Sequence, residues 1–466
     1  MIRENKGEEK MEDKKYLKWY NKVGYGSGDV AGNVVFAFVS SFVMIYLTNS
    51  IGLNAGIIGT LIAVSKLLDG VSDLFFGAMI DKTNSKMGKA RPWMLGGFVG
   101  CAITLVALFA IPVELGNFAK YTWFFIAYVL LHAVFYTANN IAYSTLTALI
   151  TRNGKERVQM GSIRFIFAFG TSLLIQTITV SAVEFLGGGA SGWRTIAIIY
   201  AIIGLIVNTI SVFSVKELPA EELYDTSIQT EEQKKEDYSI SEIFKLLIAN
   251  KYYLIILVVD VLRQVYSALI NMGIYFMTYV LGNEKLFGVF SWAINIPIII
   301  GLSITPMIVA KMKGQYKVNA SGYVIAAIGR AFVVVAGYMG NLPLMLLFTG
   351  LSAFGMSAFQ GGLNALIVQC SEYTYLKTGK RIDGSMYSCT SFGLKIGGGI
   401  GTALAGWLLA YSGFDGTLAV QSQSCINMLH IMYLWIPMII NVIIAIMLMK
   451  LDVEKANEGL RTKIKD

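Results

Sequence analysis

Apolar runs of about 20 residues recur along almost the whole chain, each closed by a short polar stretch. At a rise of 1.5 Å per residue, about 20 helical residues cover the ~30 Å hydrocarbon core of a bilayer. By that length the pattern predicts twelve spans, at 30–49, 57–80, 93–113, 121–150, 160–186, 193–214, 252–281, 286–309, 319–340, 342–370, 384–411 and 427–449. One interruption is different in kind. Residues 215–250 are polar and dense in charge, with helical character expected only near Ser239–Ala249. The expected fold class is an all-α membrane protein with twelve transmembrane helices in two six-helix bundles. The expected organisation is a tail at 1–27, a first bundle at 28–214, a linker at 215–250, a second bundle at 251–450 and a tail at 451–466.

Composition agrees. Of 466 residues, 55% are hydrophobic and 15% charged, against about 25% charged in soluble proteins. Seven prolines and 47 glycines suit membrane helices packed through small residues. No cleavable signal peptide is expected, because the first apolar run follows a Lys-rich start. The net charge of +8 would suit nucleic acid if it formed one patch, but its distribution is topological. Basic residues crowd the amino-terminal tail (Lys14, Lys15, Lys18, Lys22), the loop after span two (Lys82, Lys86, Lys89, Arg91) and the loops after spans four, eight and ten (Arg152, Lys155, Arg157; Lys311, Lys313, Lys317; Lys377, Lys380, Arg381). The opposite side offers only Lys120, Arg194 and Lys285. The positive-inside rule then puts both termini in the cytoplasm. The scattered Cys101, Cys370, Cys389 and Cys425 have no metal spacing and are expected as free thiols.

The tightest group of intramembrane charges is Lys66, Asp69 and Asp73, on one stripe of span two. Charge at that depth is expensive and by default marks an ion or substrate path. Elsewhere, Asp260 and Arg263 are spaced to pair, and Arg330 has no assigned partner. His132 and His430 could relay protons or simply pack. Gly397-Gly-Gly-Ile-Gly401 lacks the context of a phosphate loop and reads as close helix packing. A weak internal repeat joins the halves. Ser85-Lys-Met-Gly-Lys-Ala-Arg91 follows span two, and Ala310-Lys-Met-Lys-Gly-Gln-Tyr-Lys317 follows span eight. Such symmetry is how many transporters are built.

Several of these segments carry a resemblance. They are Tyr25-Gly-Ser-Gly-Asp-Val-Ala-Gly-Asn33, Leu68-Asp-Gly-Val-Ser-Asp73, Asp81-Lys-Thr-Asn-Ser-Lys-Met-Gly-Lys-Ala-Arg-Pro-Trp93, Tyr136-Thr-Ala-Asn-Asn-Ile-Ala-Tyr143 and Glu372-Tyr-Thr-Tyr-Leu-Lys-Thr-Gly-Lys-Arg381. Together they resemble the glycoside–pentoside–hexuronide:cation symporters, the melibiose permease family of the major facilitator superfamily. The resemblance implies the major facilitator fold and import of a sugar coupled to H⁺ or Na⁺. It implies a cation site at Asp69, Ser72, Asp73 and Thr137, with Na⁺ possible at Asp69 and Asp73. It implies sugar contacts at Asn33, Tyr136, Asn140, Ser144, Arg164 and Lys395. It also implies residence in a bacterial inner membrane.

The sequence departs from that pattern in places. Ser72 stands where the Na⁺-using melibiose permeases have Asn, which favours proton coupling. Asn33 and Asn140 replace two acids that grip galactosyl hydroxyls, and Ser144 replaces a stacking aromatic. An anionic hexuronide or a neutral pentoside both fit these changes.

The chemistry suits such a task. Paired carboxylates repel each other when empty, and a bound cation relieves the repulsion. Lys66 and Lys395 are candidate internal counter-charges, although Lys66 could equally form a static pair with Asp69. Gln360 and Asn364 are possible sugar contacts from the second half or interhelical hydrogen-bonding residues. The expected partners are a sugar, a coupling cation and membrane lipid, with no cofactor and no nucleic acid. Two other readings stand beside this one. The fold could serve an exporter, carrier or sensor. Asp69 and Asp73 also resemble half of the Asp-rich Mg²⁺ site of an intramembrane prenyltransferase, but the chain lacks a second acidic pair at membrane depth.

Overall fold

The computed structural model describes residues 14–219, 240–312, 314–380 and 382–465. The first part of the basic tail (1–13), the middle of the expected linker (220–239), Lys313 and Arg381 lie outside the described residues. Regular structure among the described residues is entirely helical. The first half comprises α1 (Trp19–Ser50), α2 (Ala55–Lys82), α3 (Arg91–Leu108), α4 (Asn117–Leu149), α5 (Gly154–Phe185) and α6 (Gly189–Ser214). A short α7 (Ile240–Ala249) follows. The second half comprises α8 (Lys251–Tyr279), α9 (Leu286–Met312), α10 (Gln315–Tyr338), α11 (Leu342–Thr378) and α12 (Asp383–Tyr411). It ends with α13 (Gln423–His430 and Ile436–Leu448, joined by a π turn) and α14 (Val453–Lys465). Twelve of these helices, α1–α6 and α8–α13, are long and apolar enough to cross a membrane.

Local signals explain the ends. The side chain of Asn341 accepts from the Leu344 amide at 3.1 Å, Pro343 sits in the first turn, and Gly379 closes α11 at φ 73°. The apolar run alone stops α11 too early, because its last turns are polar. It also starts α1 too late. Tyr25 lies ahead of that run yet is fully buried, and its hydroxyl donates to the Tyr143 carbonyl at 2.7 Å.

The chain divides into two compact units, Met1–Leu53 with Val64–Lys235, and Asn54–Ala63 with Glu236–Asp466. The first turns of α2 thus group with the second unit. There Gly59 faces the backbone of Thr402 and Ala403, and the Trp407 indole donates to Thr60 Oγ1 at 2.8 Å. Gly397 and Gly401 lie against the α8 backbone at Val261 and Val265, as close helix packing requires. Arg263 pairs with Asp260 at 3.0 Å. Arg330 is fully buried, and its guanidinium is held by the Tyr266 hydroxyl at 2.6 and 3.0 Å.

The weak repeat has a structural counterpart in each unit. In the first, the Glu217 carboxylate accepts from the amides of Lys89, Ala90 and Arg91 at 2.7–3.2 Å, at the start of α3. In the second, Glu454 accepts from Gln315 and Tyr316 at 2.9 and 3.2 Å, at the start of α10. Each carboxylate satisfies orphan helix amides and meets the positive end of the helix dipole. Each also lies against a left-handed glycine. A Cβ on Gly314 (φ 153°) would stand 2.7 Å from Glu454 Oε2, and one on Gly88 (φ 106°) would strike Glu217. Glu217→Gln is expected to cost about 1–2 kcal/mol, the range of a charge-assisted cap. Gly88→Val should cost more, since it adds backbone strain to the collision. Thermal melts of the purified protein would check the order. Equal melting temperatures for wild type and Gly88→Val would refute it.

Candidate cation and sugar site

The first unit gathers the span-two charges with side chains from α4. Helical spacing sets Lys66 over Asp69, and Lys66 Nζ lies 3.1 Å from Asp69 Oδ2. Asp69 is only 5% exposed, so the ammonium compensates a carboxylate withdrawn from water. Ser72 Oγ donates to the Asp69 carbonyl at 3.0 Å, which leaves its lone pairs available. Asp73 is half-buried and within electrostatic reach of Lys66.

A π-helical stretch, Leu130–Tyr136, interrupts α4 beside this group. Such insertions recur at functional sites because they re-aim the side chains that follow. Here Thr137 Oγ1 donates to the His132 carbonyl at 3.0 Å, five residues back, the register of a π turn. The hydroxyl keeps its lone pairs and can still accept or coordinate. The His132 ring lies against that of Tyr128, one turn earlier in α4, with centroids 4.5 Å apart and planes tilted by 41°, and both are within electrostatic reach of Lys66. From sequence alone Tyr128 has no role, and His132 has two, a proton relay or simple packing. Their spacing with Tyr136 along one helical face was the only available signal.

The sugar candidates of the first unit divide into engaged and exposed groups. Arg164 is engaged: its Nε lies 2.7 Å from Asp29 Oδ2, and its guanidinium stacks on Tyr143 at 4.1 Å. The Tyr143 hydroxyl donates to the same Asp29 oxygen at 2.8 Å. Asn33 donates to the Asp29 carbonyl at 2.8 Å and accepts from Ser172 at 3.2 Å. Tyr136 is half-buried and stacks on Phe36 with centroids 6.2 Å apart. Asn140 and Ser144 are exposed on the next turns of α4. Asn139, their neighbour, is turned inward and donates to the Met94 carbonyl at 2.7 Å and to Asn208 at 3.1 Å. The structure therefore joins Asn33 and Arg164 through Asp29, an acid to which the sequence alone gives no role.

The remaining candidates stand in the second unit. Lys395 and Gln360 are half-buried there, and Asn364 is exposed, its carbonyl accepting from Tyr387 at 3.1 Å. His430 is packed: its Nδ1 lies 2.8 Å from the Ile426 carbonyl, and its ring stacks on Tyr338 at 5.1 Å. Cys101, Cys370, Cys389 and Cys425 are free thiols.

Comparison with known proteins fits these observations. Residues 24–455 match the family model described as MFS/sugar transport protein. The isoprimeverose transporter of Lactiplantibacillus pentosus is 28% identical over 431 residues, 91% of this chain and 87% of that protein. The inner membrane symporter YicJ of Escherichia coli (strain K12) is 26% identical, over 91% of this chain and 90% of that protein. Among solved structures, a bacterial homologue of the human lysosomal transporter Spinster superposes with a TM-score of 0.72 at 12% identity, covering 95% of this chain and 99% of that one. At that identity the likeness shows the fold, which is the major facilitator fold. A family match over nearly the whole chain and twelve candidate spans lead to one conclusion: the protein belongs to the MFS/sugar transport protein family and is a multi-pass membrane transporter, not an enzyme.

Proposed function

We propose that the protein imports a neutral glycoside or pentoside across the cell membrane by cation symport with alternating access, both termini lying in the cytoplasm. The observation that carries this reading is the intramembrane group Lys66–Asp69–Ser72–Asp73 in a chain of the sugar transport family. Asp69, Asp73 and the oxygens of Ser72 and Thr137 form the cation site. Tyr136, Asn140 and Ser144 line the sugar path with Asn33. Lys395, Gln360 and Asn364 are the candidate sugar contacts of the second unit, taken by itself. The preference for a neutral sugar is supported by the Arg164–Asp29 pair, because a guanidinium already matched to a carboxylate has little charge left for a hexuronate. Arg164 in this reading positions Asp29 and Tyr143.

Uptake into proteoliposomes tests the proposal, with Na⁺ and proton gradients imposed separately. Labelled galactosides, xylosides and glucuronides make up the panel. Accumulation of a neutral glycoside above equilibrium under one gradient is the expected result. Preferential accumulation of glucuronides would overturn the neutral-sugar reading, and no accumulation of any sugar would overturn symport.

A further inference from the structure

His132 is 4% exposed, and its Nε2 has no hydrogen-bond partner among the described residues. A buried polar atom left unmatched is costly, and in native structures it calls for an explanation. In the tautomer with the proton on Nδ1, Nε2 is an acceptor. The Lys66 ammonium lies within electrostatic reach of this imidazole, and its present acceptor is Asp69 Oδ2 at 3.1 Å. Lysine carries its charge on a flexible four-carbon stem, so one ammonium can serve two acceptors in turn. The charged and titratable groups within electrostatic reach of this ammonium are Asp69 and Asp73 from α2, and Tyr128 and His132 from α4.

We propose that Lys66 is a tethered counter-cation with two resting places, the Asp69 carboxylate when the cation site is empty and His132 Nε2 when it is loaded. The inference rests on the symport reading and adds His132 as a positioning residue. In the empty site the ammonium neutralises Asp69, so the buried carboxylate never stands alone. An arriving cation must displace it. The displaced ammonium then needs an acceptor in the same low-dielectric space, and the imidazole supplies one. Without that second acceptor, the cost of stranding the ammonium would weaken cation binding. Without the ammonium, the carboxylates would stand open to any small cation.

The test reads cation binding without any sugar. The purified full-length protein is melted across a NaCl titration, with choline chloride holding ionic strength constant. Lys66→Met is expected to reach half of its Na⁺-dependent rise in melting temperature at a concentration at least tenfold below wild type, and Lys66→Arg to follow wild type. His132→Phe should move the midpoint upward, and His132→Gln, which retains an acceptor oxygen, should restore it. In the Lys66→Met background, His132→Phe should have no further effect, since the ammonium it serves is gone. An unchanged midpoint in Lys66→Met overturns the proposal, as does equal Na⁺ response in His132→Phe and wild type. If Lys66→Met does not yield folded protein, the His132→Phe and His132→Gln pair decides alone. A failure of sugar uptake leaves these melts interpretable, and a negative melt leaves the uptake result standing.

Discussion

Asp69→Asn should abolish gradient-driven accumulation while leaving passive exchange of the same sugar in place. The substitution keeps the shape of the side chain and removes the charge that a coupling cation needs. Coupling between cation and solute is a reciprocal free energy, typically about 1–3 kcal/mol, or roughly 5- to 150-fold in affinity. Without it the accumulation ratio falls to one. Asp69 is buried and carries Lys66 at 3.1 Å, so the change also leaves an ammonium without its carboxylate. Some loss of stability is therefore expected beside the functional loss. Two measurements separate them: accumulation under an imposed gradient, and sugar counterflow with no gradient. A variant that still concentrates sugar would remove Asp69 from the coupling site. A variant that loses counterflow as well would point to a structural role.

The second large effect is expected at Arg164. Its guanidinium bridges α5 to Asp29 on α1 and to the Tyr143 ring on α4, and the Arg164 and Asp29 side chains are 23% and 16% exposed. Removing one member of a buried pair strands the other charge, at a cost of about 3–5 kcal/mol. Partial exposure places Arg164→Gln toward the lower end of that range. Arg164→Lys should recover only part, because an ammonium cannot keep both the carboxylate contact and the stacking on Tyr143. The double variant Asp29→Asn, Arg164→Gln should be more stable than either single variant, since no unmatched charge remains. Melting temperatures of the four proteins would establish the cycle. Strict additivity would mean that the pair contributes nothing beyond its separate side chains.

The two carboxylate caps bear on how a repeat is recognised. The loops after spans two and eight share little beyond a basic character, a Lys-Met pair and one glycine. What makes them equivalent is a glutamate that arrives from far along the chain, Glu217 in one unit and Glu454 in the other. Neither contact is local, and each is possible because the glycine has no side chain in the way. Composition of a loop is a weak signal of symmetry; the position of its long-range partner is a strong one.

Local features of the chain were legible without coordinates. Twelve spans follow from apolar length, because a bilayer sets how much helix must be covered by apolar side chains. The closeness of Lys66 to Asp69 follows from helical periodicity, as does the pairing of Asp260 with Arg263. Helix ends were less legible where polar turns extend a buried helix, as at Tyr25 in α1 and beyond Cys370 in α11. Other features needed the tertiary structure. Nothing in the local pattern of α4 announces a π turn, yet it determines where Thr137 and His132 point. Asp29 meets Arg164 across 135 residues, and Tyr128 and His132 come within electrostatic reach of Lys66 from a separate helix. Periodicity records how side chains share a face of their own helix. Which faces meet is decided by packing among helices that are all apolar enough to meet any other, and the chain resolves that choice only when folded.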